Sequence, residues 1–410
     1  MGSSSSTIKS RNLSAILLML LRDGHISRVQ LAHRTGLSTT TITNLIAELI
    51  EQNIVTQDGE EEEAPKRRRG VGRPQLALRL VPEARFAIGI HIGVGSVRVA
   101  VANLLAQPLH VLSLDHPVER SPREVLVEAA RMVRLVVDRA GVDPGRIVGV
   151  GVGASGLVDP LTGVNVLAPN LGWHNVPVRD WLAERLDHPL RVDNNVRAMA
   201  LGEALFGAGQ EVYSLAFVYG RIGVGAGIVV DGQLYYGGWA GAGEIGHMTI
   251  IPEGGAVCRC GNTGCLETLV AEPEIVHLAH QIARQQPHGL LATTLERGEG
   301  PLIERVFAAA RAGDAPTQAM LAERARYLGI ALANLVNILN PELIVLGGIF
   351  SQGSDLFLPV ANDTMRSRAF ANLGDKVRLQ TCSFGDDAGV IGAAALALDA
   401  FFYRQGEGAV

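Results

Sequence analysis

Apolar positions in the first fifty residues recur at helical spacing in three short blocks. Leu13, Ile16, Leu17, Leu20 and Leu21 make the first stripe, and Gly24 ends it. Ser27-Arg28-Val29-Gln30 has the form of a capping box, which predicts a second helix through Leu31 and Ala32 with a stop at Gly36. Ser38 is a suitable N-cap for a third helix, whose buried stripe is Ile42, Leu45, Ile46 and Leu49. The period then changes from helical to alternating. Ile54 and Val55 open one strand, and Leu76, Leu78 and Leu80 alternate along a returning one.

Further on, strand and helix patterns interleave. Residues 86–92 and 97–102 predict two strands around the turn Gly93-Val94-Gly95-Ser96, and a helix follows from Pro122 to about Ala140. Residues 147–152 read as a buried strand running into Gly153-Ala154-Ser155-Gly156. More strands are expected at 215–219, 225–230 and 343–346, with a long helix around 321–337. Such alternation argues an α/β body with mixed sheets. No repeat at a solenoid period is visible.

The outer face of the third helix adds chemistry to the pattern. Thr39, Thr40, Thr43 and Asn44, with Ser38 and Thr41 at its start, offer small hydrogen-bonding groups and no acid. The spacing is that of a helix–turn–helix, whose second member can enter a major groove. A plain three-helix bundle with solvated threonines is the competing reading, and the hairpin between the two strands weighs against it. That hairpin carries Glu60-Glu61-Glu62-Glu63, then Lys66-Arg67-Arg68-Arg69, then Gly70-Val71-Gly72-Arg73-Pro74. A basic, glycine-rich tip is a wing. Lys66, Arg67, Arg68 and Arg69 suit phosphates, and Arg73 suits a narrow A·T-rich minor groove.

Charge follows the same division. Residues 1–80 carry 11 Lys+Arg against 8 Asp+Glu; subtracting from totals of 36 and 41 leaves 25 against 33 for the rest. A weakly basic head therefore precedes an acidic body, which points to a nucleic-acid partner for the head. The 410 residues are enough for two or three domains at roughly 100–200 residues each. No apolar run reaches the roughly 18–20 residues of a membrane span. The opening Met1-Gly2-Ser3-Ser4-Ser5-Ser6 lacks the pattern of a signal peptide. These features lead us to expect a cytoplasmic, nucleoid-associated protein with no membrane partner.

The four cysteines form no disulfide framework. His247 is followed by Cys258-Arg259-Cys260-Gly261-Asn262-Thr263-Gly264-Cys265. Three thiolates and one imidazole complete a closed tetrahedral set for one zinc ion per chain, and the glycines let the loop fold around it. Three buried free thiols are the competing reading, and their clustering beside two glycines weighs against it. With no position left for water, such a zinc is structural. The remaining Cys382 is expected in the core.

The residues around this cluster resemble the ROK family of repressors, open reading frames and sugar kinases. The likeness rests on Gly243-Glu244-Ile245-Gly246-His247 and on Cys-x-Cys-Gly-x-x-Gly-Cys-x-Glu ending at Glu267. It extends to Asn340-Pro341-Glu342 with Gly347-Gly348, to Asp387-Ala388-Gly389 with Gly392-Ala393-Ala394, and to the winged head. It implies a winged helix–turn–helix at 1–82, with the wing at about 56–76, followed by a two-lobed, actin-like sugar-kinase body at 83–410. The smaller lobe would span about 83–195 plus the C-terminal helix, and the larger, zinc-containing lobe about 196–390. Carried over position by position, the sugar pocket comprises Gly156, Asn170, Asn194, Asn195, Glu244, His247 and Glu267, with His247 serving both zinc and sugar. Trp173 is expected either over a sugar face or in the core.

Two functions fit that frame, an ATP-dependent sugar kinase and a sugar-responsive regulator. Kinases of the family use the Asp of an Asn-Asp pair as base, whereas this chain reads Asp193-Asn194-Asn195. Their first phosphate motif, Asp-x-Gly-Gly-Thr, is His91-Ile92-Gly93-Val94-Gly95-Ser96 here, and Ile222 stands where the second motif carries a hydroxyl. The resemblance therefore implies no catalytic residue. It implies a repressor of carbohydrate genes that leaves its operator when a monosaccharide or cyclitol binds. The expected operator is a palindrome with A·T-rich flanks, bound by a homodimer or a dimer of dimers.

Overall fold

A computed structural model of the chain describes residues 5–58 and 76–404. The expected wing tip, with Lys66, Arg67, Arg68, Arg69 and Arg73, lies outside the described residues.

The head is built from α1 (Ser5–Asp23), β1 (Ile26–Ser27), α2 (Arg28–Thr35), α3 (Thr39–Glu51), β2 (Val55–Asp58) and β3 (Ala77–Leu80). Its boundaries follow from local chemistry. Ser27 and Gln30 exchange side-chain and backbone hydrogen bonds at 2.9 and 3.3 Å, the capping box read from the sequence. Gly36 ends α2 at φ +69°, a conformation a side chain would strain. Ser38 caps α3, and Ile42, Leu45, Ile46 and Leu49 are all buried. β2 and β3 pair antiparallel at the base of the wing, with Leu78 and Leu80 buried and Leu76 exposed.

The body contains two five-stranded sheets of the same topology. In the first, β6 (Pro108–Asp115), β5 (Ser96–Asn103) and β4 (Phe86–Gly93) form an antiparallel meander, extended in parallel by β7 (Ile147–Ala154) and β11 (Leu190–Asn194). A small sheet of β8 (Leu157–Asp159), β9 (Val164–Ala168) and β10 (Trp173–Val176) belongs to the same lobe, as do α4 (Pro122–Ala140) and α5 (Val178–Ala183). In the second, β14 (Gln233–Leu234), β13 (Val224–Val230) and β12 (Ser214–Gly220) form the meander, and β15 (Leu343–Gly348) and β16 (Arg378–Thr381) extend it. Around the second sheet lie α7 (Glu267–Val270), α8 (Glu272–Gln285), α9 (Leu290–Arg297), α10 (Leu302–Arg311), α11 (Ala315–Leu339), α12 (Ile349–Gln352), α13 (Ser354–Arg368) and α14 (Leu373–Lys376).

Two helices join the sheets: α6 (Asn195–Phe206) and α15 (Ala388–Leu398). Every residue of α15, and α6 from Asn195 to Leu205, is buried, which explains why neither shows a polar face. The first sheet accepts α15 through its period of two. Ile88, Ile90 and Ile92 join the core beneath α4, while Ala87, Gly89 and His91 turn to the other face. A Cβ on Gly89 would lie 2.1 Å from the carbonyl oxygen of Val390, so only glycine admits the helix there.

The head does not stand apart. Its core, including Leu17, Leu20 and Leu21, is continuous with Leu201, Leu205, Leu398, Phe402 and Tyr403 of the body. On the body side of this shared core, Tyr403 donates its hydroxyl to the Leu104 carbonyl at 2.6 Å. Among the described residues no helix is long and apolar enough to cross a membrane.

Candidate functional site

On the head, α3 leaves Thr39, Thr40, Thr43 and Asn44 exposed. The other two residues expected on that face have a local task. The Ser38 hydroxyl accepts the Thr41 backbone N–H at 3.1 Å and lies 2.9 Å from the Thr41 hydroxyl, so both close the start of the helix. Thr43 donates to the Thr39 carbonyl at 2.8 Å, which fixes its hydroxyl with its acceptor side outward.

The cleft of the body is assembled where β11 runs into α6. Asn194 is the N-cap of α6, and its side-chain oxygen accepts from the backbone of Val196 at 2.8 Å and Arg197 at 3.1 Å. Its amide nitrogen donates to the Gly156 carbonyl at 2.8 Å. Gly156 itself sits at φ +103°, where a Cβ would fall 2.4 Å from that of Ala168. Asn194 and Gly156, expected as direct sugar ligands, thus hold each other and the helix start. Asn195 differs. It is 7% exposed, and among the described residues its side chain has no hydrogen-bond partner.

The other side of the cleft comes from the second lobe. Gly243 and Gly246 press against β13: a Cβ on either would lie 2.0 or 2.1 Å from the carbonyl oxygen of Ala226 or Val224. That close approach positions Glu244 and His247 between and after them. Glu244 is open to solvent at the lip, yet the surrounding protein desolvates its carboxyl and raises its pKa; His247 and Arg197 pull the other way. Glu267 opens α7 and accepts the Val224 N–H at 3.0 Å. From the first lobe, Asn170 reaches across to this group and accepts a hydrogen bond from Arg259. Trp173 is 2% exposed within the first-lobe core, so it cannot cover a sugar face.

A buried ion pair secures the floor. Arg197, 1% exposed, donates to Asp193 at 2.7 Å, to the Val158 carbonyl at 2.8 Å and to the Ala240 carbonyl. Tyr236 donates to the second Asp193 oxygen at 2.9 Å. The guanidinium therefore ties the first lobe, through Val158, to the loop that leads into Glu244. Sequence reasoning missed this group; the one available signal was an acid and an arginine four residues apart at a helix start.

His247, Cys258, Cys260 and Cys265 converge, with their ligand atoms all within 4.8 Å of one another. The Cys260 and Cys265 sulfurs lie 3.8 Å apart, and His247 Nδ1 lies 3.7 Å from the Cys258 sulfur. Two thiolates at about 2.3 Å from one tetrahedral ion stand about 3.8 Å apart, so the set fits a metal ion. Burial pushes Cys265 up to about 12 and raises Cys258, while the Asn262 N–H lowers Cys260. A cation among them is what would let all three ionise. Cys382, expected in the core, is only half-buried.

His91 lies on the α15 face of the first sheet, 8% exposed, with Nε2 unpartnered. Burial, with help from Arg98 and Arg221, lowers its pKa to about 4. Its ring lies against Gly389 at the start of α15, where a Cβ would fall 2.6 Å from the ring carbon. The buried imidazole is therefore neutral near pH 7.

Comparison with known proteins agrees with this architecture. Residues 87–400 match the ROK family, and residues 9–56 match a winged helix-turn-helix DNA-binding domain. The chain is 30% identical over 391 residues to a xylose repressor of Caldicellulosiruptor bescii, covering 95% of this chain and 96% of that one. It is 39% identical to a glucokinase of Halalkalibacterium halodurans, but over 250 residues, 61% of this chain and 76% of the kinase. The crystal structure of a ROK family transcriptional regulator, a homologue of the E. coli MLC protein, superposes with a TM-score of 0.81 at 27% identity, covering 97% of this chain and 98% of that one.

Proposed function

The chain belongs to the ROK family, and from that premise we propose that it is a sugar-responsive transcriptional repressor with no kinase activity. The higher identity to a glucokinase is confined to part of the chain, whereas the likeness to a repressor runs through head and body alike.

The observation that carries the reading is the course of α6. Its first residue, Asn195, follows the Asn194 cap that holds Gly156, and its last turn, Leu205 and Phe206, lines two cavities of about 410 and 390 Å³ against Leu18, Leu20 and Leu21 of the head. One buried helix of 12 residues, about 18 Å long, therefore connects the sugar pocket to α1. A monosaccharide held by Asn170, Asn195, Glu244, His247 and Glu267 favours a closed arrangement of the lobes. Movement of α6 then tilts the head, and the spacing of two heads in a homodimer or dimer of dimers no longer fits a palindromic operator. In this reading Thr39, Thr40, Thr43 and Asn44 face the major groove and the basic wing the phosphates and minor groove.

Zinc is the ion we assign to the thiolate cluster, in a structural role. Held by His247, Cys258, Cys260 and Cys265, it would supply fixed charge that orders the loop beside the sugar. Phosphoryl transfer lacks its parts. The Asn195 amide cannot take a proton from a sugar hydroxyl, and His91 offers no carboxylate to organise magnesium.

A thermal-shift screen of monosaccharides and cyclitols, with and without Mg-ATP, tests the reading. A sugar at about 100 times its dissociation constant stabilises by about 2.7 kcal/mol. Stabilisation by one sugar, no response to Mg-ATP and weaker operator binding in the presence of that sugar are expected. Sugar-dependent ADP release, or tighter operator binding with sugar, overturns it.

A further inference from the structure

The loop between the first two cysteines of the metal cluster carries an arginine that no part of the metal site requires. Arg259 stands between Cys258 and Cys260, so its backbone position is set by the cluster. Its guanidinium donates to the side-chain oxygen of Asn170, a residue of the opposite lobe between β9 and β10. Asn170 alone accepts a hydrogen bond from Arg259 among the described residues.

The chemistry of the pair settles which way the Asn170 amide faces. A guanidinium only donates, so it can hold the oxygen of an amide and never its nitrogen. With the oxygen turned to Arg259, the nitrogen is directed to the cleft. It lies 3.6 Å from the point a Cβ on Gly223 would occupy, and the Glu267 carboxylate lies 2.8 Å from that same point. A donor from one lobe and an acceptor from the other thereby both stand beside Gly223. Two adjacent sugar oxygens, one accepting and one donating, match that arrangement. Were the amide reversed, its oxygen would face the Glu267 carboxylate, two acceptors together with no proton between them.

We propose that Arg259 is a positioning residue for sugar specificity: it fixes the Asn170 amide with its nitrogen toward the cleft, so the metal loop of one lobe sets the hydrogen-bonding sense of the other. The inference rests on the sugar-binding reading above. It extends the role of the cluster from stabilising a loop to defining which pattern of hydroxyls the cleft accepts. Lys keeps a donor at the same place, whereas Ala leaves the amide free to turn.

The test uses the full-length protein, its sugar identified by the thermal-shift screen, and isothermal titration of the wild type, Arg259→Ala and Arg259→Lys with that sugar and its epimers. Metal content is measured on each by a colorimetric thiol-displacement assay. Arg259→Ala should keep its metal and unfold at the wild-type temperature, weaken binding of the cognate sugar about tenfold, the low end for a charge-assisted hydrogen bond, and narrow its preference over epimers. Arg259→Lys should recover most of both. Unchanged affinity and preference in Arg259→Ala, or loss that Lys does not restore, overturns the assignment. A wild type that binds no sugar at all instead overturns the sugar-binding reading, so the two failures are distinguishable.

Discussion

Replacing Arg197 by Met is the sharpest test of how the two lobes are held. The side chain is 1% exposed, and its removal leaves the fully buried Asp193 carboxylate with Tyr236 and the Asn194 N–H as its remaining partners. The Val158 and Ala240 carbonyls lose their donor as well. Breaking a buried pair by removing one partner costs about 3–5 kcal/mol, chiefly because the other charge remains in the interior. Against a typical stability of about 5–15 kcal/mol, that is a large fraction. Urea unfolding followed by circular dichroism and by tryptophan fluorescence, to which buried Trp173 contributes with Trp181 and Trp239, reads the change, each transition fitted separately because the lobes need not unfold together. Sugar affinity should fall in the same variant, since Arg197 holds the loop that leads into Glu244. The double variant Asp193→Asn, Arg197→Met should regain part of the stability, because no charge is then buried. A loss below about 1 kcal/mol in the single variant, or a double variant no more stable than the single, refutes the reasoning.

Three further outcomes are expected. His91 has a folded pKa of about 4 against 6.5 when unperturbed. Above pH 6.5 neither state binds the proton, and as pH falls toward 4 the unfolded chain takes up a proton the folded one refuses. Stability therefore declines across that window by up to about 3 kcal/mol, and His91→Gln should flatten the decline in a series of unfolding curves; parallel pH profiles refute it. Cys260→Ser should lower metal content, thermal stability and sugar affinity together, and a variant with full metal content and unchanged melting counts against the assigned ligands. Asn195→Asp restores a carboxylate at the base position, yet sugar-dependent ADP release should stay at the buffer rate because His91 and Ile222 remain; turnover would show the nucleotide half to be intact.

Much of this molecule is legible residue by residue because the interactions that decide it are local. Ser27 with Gln30, Gly36, and Ser38 define α2 and α3 within a few residues of chain, so caps and periodicity suffice. The metal cluster is likewise compact: three of its ligands fall within eight residues, and glycines at 261 and 264 announce a tight loop. Three strands of the first sheet, β4, β5 and β7, were readable as well, since buried strands are short apolar runs whatever their neighbours; β6, largely exposed, and β11 gave no such run and were missed.

What the sequence alone left undecided depends on partners distant along the chain. Whether a polar side chain is free for a ligand turns on what else it meets. Asn194 finds Gly156 and the start of α6, while Asn195, one residue later, finds no hydrogen-bond partner among the described residues. Trp173 goes to the core because β10 faces inward, and Arg259 meets Asn170 because two lobes are brought together across 89 residues of sequence. α6 and α15 gain their adjacency from Gly202 and Gly392, which no spacing rule connects. Elements, caps and the metal set were thus determined by short-range stereochemistry. The sharing of α6 between cleft and head was decided only by tertiary packing, where a side chain's role is fixed by neighbours that the chain order does not name.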